Sequence, residues 1–177
     1  LKDYDWVIEV VIEHLPIKKE LFVKLAPHLS PDVILSTNTS GLSVNDMAEV
    51  LPKALQRNFL VTHFFNPPRY MRLLEIVPCK HTDPAIVSVL ADFISRRLGK
   101  GIVYAKDTAN FIANRIGVYA IYKGIEHMLA MDLTVEEVDS VSGPATARPK
   151  SAAFRTADLV GLDTLALAFL HGEGDHV

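Results

Sequence analysis

Between Asp5 and Ala105 the chain repeats one pattern: a short apolar run rich in β-branched residues, then a stretch of helical period. The apolar runs are Asp5–Ile12 (DWVIEVVI), Val33–Thr37 (VILST), Asn58–Phe65, Leu73–Cys79 and Gly101–Ala105. Runs of this length and makeup read as strands, several of them buried on both faces. Between them, Pro16 opens a helix that runs to about Leu29, because proline at the first helical position loses no needed hydrogen bond. Leu21, Phe22, Leu25 and Leu29 form its apolar face. Asn38–Leu42 is a polar turn with glycine, and Ser43 caps a short helix. Asp83-Pro84 starts a helix that stops at Gly99. After Lys106-Asp107 only helical patterns follow. Phe111–Met131 is long and largely apolar. Thr134 and Glu137 form a capping box for a short acidic helix to Val141. Gly143–Ser151 is a loop with Pro144 and Pro149, and Thr156–Leu170 holds one or two further helical stretches. Alternation followed by helices alone predicts a mostly parallel α/β domain over 1–106, joined to an all-α domain over 107–177.

Composition narrows the function classes. Nearly half of the 177 residues are hydrophobic, enough for a sizeable core. The net charge of −3 and scattered basic residues give no footprint for nucleic acid. The single cysteine, Cys79, cannot form an internal disulfide, which fits a reducing compartment. No apolar run is long enough to cross a bilayer, and Leu1–Asp5 is not a signal peptide, so the cytoplasm is the expected location. The seven histidines show no metal-ligand spacing with cysteines or carboxylates. The chain starts on leucine, opens directly into a buried-looking strand and ends abruptly at His176-Val177. It reads as an internal piece of a longer protein.

The chemistry concentrates around Thr62-His63-Phe64-Phe65-Asn66-Pro67-Pro68 and Leu73-Leu74-Glu75-Ile76-Val77. A histidine ends one strand and a carboxylate sits inside the next. A carboxylate that accepts from one ring nitrogen fixes the tautomer and leaves the other nitrogen as a base. A lone histidine at a strand end would more often cap a turn. Glu75, however, is flanked on both sides by apolar residues, and a carboxylate buried there needs a partner. Asn38 and Ser40 lie in the turn after the VILST strand, where α/β sheets gather ligands, although any turn contains such residues. Asn114, early in the long helix, is an uncharged amide that can donate to a carbonyl, or equally sit on a surface. Glu13 and Lys18 follow the first strand, where charges are ordinarily solvated. Ser40 lacks a nucleophile-elbow context. Phe64, Phe65, Phe93, Phe111 and Leu129 are core candidates.

Taken together, His63-Phe64-Phe65-Asn66-Pro67-Pro68, Glu75, Ser36-Thr37-Asn38-Thr39-Ser40, the run Val7–Glu13 with Lys18, and Phe111-Ile112-Ala113-Asn114-Arg115 resemble the 3-hydroxyacyl-CoA dehydrogenases. The resemblance covers Asp5 to about Thr164. It implies a partial Rossmann-like sheet followed by a helical dimerisation and substrate domain. It also implies NAD as cofactor, a 3-hydroxyacyl-CoA as substrate and a homodimer. By resemblance, His63 is the catalytic base and Glu75 its orienting acid. Ser40 hydrogen-bonds the substrate oxygen and Asn114 the thioester carbonyl, while Glu13, Lys18, Asn38 and Asn66 face the cofactor. The stretch Arg148–Thr164 looks most like long bacterial members that also carry an enoyl-CoA hydratase domain. The family's glycine-rich pyrophosphate loop is missing from the sequence. The same resemblance admits a short-chain 3-hydroxybutyryl-CoA dehydrogenase, or a non-catalytic crystallin-like relative.

Overall fold

A computed structural model of the chain describes residues 3–162 and 165–166. It divides into two compact units, the first ending at Phe111 and the second beginning at Ile112.

The first unit is a five-stranded sheet in the order β1-β2-β3-β4-β5. The strands are β1 Trp6–Glu9, β2 Ile34–Thr37, β3 Phe59–Phe64, β4 Leu73–Pro78 and β5 Gly101–Tyr104. All neighbours pair in parallel except β3 and β4, which run antiparallel. The parallel crossovers are made by α1 (Leu15–Leu25), by α2 (Val44–Ala48) with α3 (Lys53–Gln56), and by α4 (Pro84–Leu98). The mostly parallel sheet expected from the alternation is therefore present.

Strand alternation sorts the core into two layers. Val33, Leu35, Phe59, Val61 and Val77 pack with Phe22 and Met47 in one cluster. Leu60, Leu74 and Ile76 pack with Leu90 and Ile94 in the other. With both faces covered, β4 is buried from Leu74 to Val77, the glutamate included. Local chemistry sets the helix ends. Ser43 accepts from the Asp46 N–H at the start of α2, and Asp83 accepts from Ala85 at the start of α4. Gly99 ends α4 in the left-handed region, where glycine carries no Cβ penalty. Asp107 reaches back to the start of α2 and accepts from the Ser43 hydroxyl and the Val44 and Asn45 N–H groups. Residues 107–111 thus belong to the compactness of the first unit.

The second unit holds α5 (Ala113–Ala130), α6 (Val135–Ser142) and α7 (Phe154–Val160). Thr134 and Glu137 form the expected capping box on α6. The predicted helical stretch beyond Leu162 falls largely outside the described residues.

Three local expectations differ. Val10–Ile12 is not strand: the Glu9 carboxylate accepts from the Val11 N–H, and pairing with β2 ends at Glu9 opposite Thr37. Phe93 is half exposed, because α4 buries Leu90, Ala91 and Ile94 instead, and its ring meets Trp6 edge-on. Leu129 is exposed on α5, a helix with no buried residue.

Candidate active site

The antiparallel register places His63 directly opposite Glu75. Directly opposed residues project from the same face of a sheet, with Cβ atoms roughly 5 Å apart. That spacing suits an imidazole and a carboxylate, and His63 Nδ1 lies 2.8 Å from Glu75 Oε2. The two side chains are 4% and 1% exposed. A carboxylate only accepts, so Nδ1 carries the proton and Nε2 of the neutral ring is left as a base. Phe65 and Phe111 enclose the imidazole, with ring centroids 4.3 and 5.8 Å away. Water is thereby kept off a pair whose attraction strengthens as its surroundings dry.

Phe111 reaches this position through an unusual backbone. Asn110 and Phe111 both have positive φ, 60° and 48°. A Cβ on Gly41 would stand 2.8 Å from Asn110 Oδ1 and 3.1 Å from the Asn110 backbone N, so a side chain there would have to displace Asn110.

A second polar group lies at the carboxyl ends of β1 and β2. Lys18 is 1% exposed and Glu9 4%. Lys18 Nζ donates to both Glu9 oxygens, at 2.9 and 3.1 Å, and to the Val11 carbonyl at 3.0 Å. It lies 3.4 Å from Glu13 Oε2. The other Glu13 oxygen accepts from the Thr39 hydroxyl and from the Ser40 N–H at 2.7 Å. Thr37 donates to Glu9 at 2.6 Å. Asn38 Oδ1 accepts from the Phe64 N–H at 2.9 Å, which ties the end of β2 to the residue after His63.

The expected residues are thus distributed as follows. His63 and Glu75 meet directly. Glu13 links Lys18 to the Ser40 backbone at the ends of β1 and β2, while Asn38 binds the Phe64 N–H beside His63. Asn66 is exposed in the loop after β3. That loop is held by buried Lys100, which donates to the carbonyls of Pro68 and, at 2.6 Å, Met71. Asn114 is the second residue of α5, in the helical unit.

Sequence reasoning did not single out Glu9, Thr37, Thr39 or Asn110. One signal for Glu9 was available. It shares strand parity with the core residue Val7, so its side chain enters the covered face. Lysine nine residues on supplies the required countercharge. Among the described residues, no group of three or more histidines, cysteines or acids is placed to hold a metal ion.

An open, mostly parallel sheet with polar residues at its strand ends and helices on both faces is a Rossmann-like α/β architecture, here with a buried His–Glu pair added. Residues 1–108 match the family described as 3-hydroxyacyl-CoA dehydrogenase, NAD binding domain, and the chain belongs to that family. A probable 3-hydroxyacyl-CoA dehydrogenase of Bacillus subtilis is 53% identical, over 94% of this chain and 21% of the relative. Another from Deinococcus radiodurans is 46% identical, over 94% and 48%. The crystal structure of (S)-3-hydroxybutyryl-CoA dehydrogenase PaaH1 from Ralstonia eutropha superposes with a TM-score of 0.87 at 27% identity, covering 96% of this chain and 59% of that one. The chain therefore spans about half or less of the length of these curated relatives.

Proposed function

We propose that this segment carries the acid–base machinery for NAD-dependent oxidation of a 3-hydroxyacyl-CoA to the 3-ketoacyl-CoA, as in fatty-acid β-oxidation. The observation that carries the reading is the dry His63–Glu75 pair at 2.8 Å. His63 Nε2 takes the proton of the 3-hydroxyl. Glu75 holds the ring in the competent tautomer and stabilises the imidazolium that results. Ser40 positions the substrate oxygen, and Asn114 donates to the thioester carbonyl.

A dinucleotide offers hydroxyls and a carboxamide. The Glu13 carboxylate, the Lys18 ammonium and the Asn38 and Asn66 amides are the matching donors and acceptors, so the residues present fit the nicotinamide half. When bound, NAD supplies the acceptor for the hydride from C3. The proposal extends to a cytoplasmic homodimer, and to a hydratase domain in the same polypeptide. The small share of the Bacillus relative that this chain spans leaves length for such a domain. A short-chain preference is the second reading, supported by the fit to the 3-hydroxybutyryl-CoA enzyme. Comparing kcat/KM across acyl lengths separates the two.

The test is a dehydrogenase assay of the full-length protein. His63→Gln is expected to lower kcat by on the order of a hundredfold or more, the scale of a lost general base, with KM little changed. A variant with near-normal kcat removes His63 from the mechanism. Absence of turnover in the unsubstituted full-length protein points instead to a non-catalytic, crystallin-like role.

A further inference from the structure

Phe111 holds a backbone conformation that its side chain resists. Its φ is 48°, and that of Asn110 before it is 60°. Asparagine visits this left-handed region readily, whereas a bulky aromatic residue does so rarely. Such a residue persists only where its surroundings over-determine it, and strain of this kind gathers at working sites. The Phe111 residue is 1% exposed, and its ring centroid lies 5.8 Å from that of the His63 imidazole.

The turn that carries it is fastened four residues earlier. Asp107 Oδ1 accepts from the Val44 N–H at 2.9 Å. Its Oδ2 accepts from the Ser43 hydroxyl at 2.9 Å, the Asn45 N–H at 3.0 Å and the Asn45 side-chain amide at 2.6 Å. The Thr108 carbonyl then accepts from the Phe111 N–H at 3.0 Å. Ser43 already caps α2 through the Asp46 N–H, so the reach of Asp107 ties down its own segment as much as it serves that helix.

From this geometry we propose that Asp107 is a positioning residue for His63, acting through the strained turn that seats the Phe111 ring against the imidazole. The inference rests on His63 as the base, as proposed above, and deepens that reading. The hydrogen bond to Glu75 fixes one edge of the imidazole. A single bond leaves the ring free to rock about it. Phe65 and Phe111 close against the ring and set where Nε2 points. Displacing a reacting group by about 1 Å can cost on the order of a hundredfold in rate. Charge-assisted hydrogen bonds to Asp107 supply the hold that the backbone strain opposes.

Substitutions in the full-length protein test this. Asp107→Asn keeps the shape and replaces one acceptor oxygen by a donor. It is expected to lower kcat about tenfold with KM little changed, and Phe111→Leu to do the same. The double variant loses little beyond Phe111→Leu alone, because the ring that Asp107 seats is gone. Gly99→Ala, at the end of α4, is the control for lost stability, with a lowered Tm and an unchanged kcat. Proton NMR gives a readout independent of turnover. The signal of the His63 Nδ1 proton, absent in His63→Gln, is expected to broaden by exchange with water in Asp107→Asn and not in Gly99→Ala. Should Asp107→Asn fail to fold, Asn45→Ala withdraws one side-chain donor from the carboxylate, and a fall in kcat of about threefold is expected.

Two results overturn the inference while sparing the proposed function. In the first, Asp107→Asn, or Asn45→Ala in its place, leaves kcat and the Nδ1 signal unchanged, so the carboxylate is a structural anchor only. In the second, the losses from Asp107→Asn and Phe111→Leu multiply, so Asp107 does not act through the ring. Near-normal kcat in His63→Gln removes the proposed function instead, and the Nδ1 signal then still decides the positioning.

Discussion

At the scale of single residues, the proposed function rests on the relation between His63 and Glu75. Glu75→Gln keeps the side-chain shape but withdraws the charge that holds the imidazolium. In the full-length protein a substantial fall in kcat is expected, and the acidic limb of the pH–rate profile moves to lower pH. An unchanged profile would show that the pair does not act as a unit. This pair was legible in the sequence because burial could be argued: four apolar neighbours force Glu75 to find a partner, and one strand away stands a histidine. The same logic was not applied to Glu9. Its neighbours Val10–Ile12 read as one strand with it, so the end of the strand at Glu9 was not visible. Just past that end the Glu9 carboxylate accepts from the Val11 N–H, a side chain bonding its own local backbone. No periodicity in the sequence encodes it.

Elements show the opposite balance. Both ends of α4 were legible, since Asp83-Pro84 and Gly99 carry their own mechanisms. Gly99 has φ 66°, and an added Cβ there would meet nothing within 4 Å. Gly99→Ala therefore isolates the backbone term, and a loss of about 1 kcal/mol in urea unfolding is expected. No loss would mean that the helix ends differently in solution. At the other end, the Ala85 N–H and then Arg57 hold the Asp83 carboxyl below its ordinary value of 3.8. The folded value lies below the unfolded one, so its contribution is complete above the ordinary carboxylate range. It is lost as pH falls through the lower folded value. Asp83→Asn should remove that part of the acid sensitivity, read as a smaller Tm difference between neutral pH and about pH 3. An unaltered difference would exclude Asp83 as a contributor. Which face of α4 is buried was less legible. Phe93 is among its largest apolar residues, yet the helical stripe that holds Leu90, Ala91 and Ile94, not size, decides what reaches the sheet.

For the whole molecule, the α/β-then-α order was legible from alternation alone, whereas the reversal of β4 was not. Short apolar runs carry no sign of strand direction. The second unit leaves Ile116 and Leu129 on α5, and Met131 at its C-cap, at 65%, 72% and 65% exposure. Exposed apolar surface of this kind favours association. The isolated 177-residue chain is expected to gain mass with concentration in light scattering, and Ile116→Glu with Leu129→Glu to suppress the gain. A constant mass of one chain would refute this. Reversal of β4 has a further consequence. The acid and the base are fastened to each other by the backbone ladder between adjacent strands, not by the Phe65–Arg72 connection that joins them in sequence. That connection is tethered separately, by Lys100. Insertions beyond Phe65 within it leave the strand register that opposes His63 to Glu75 unchanged. Should His63 and Glu75 serve as the acid–base unit proposed above, the pairing that defines it is inherited with the sheet, and the connection between its two strands is free to vary in length.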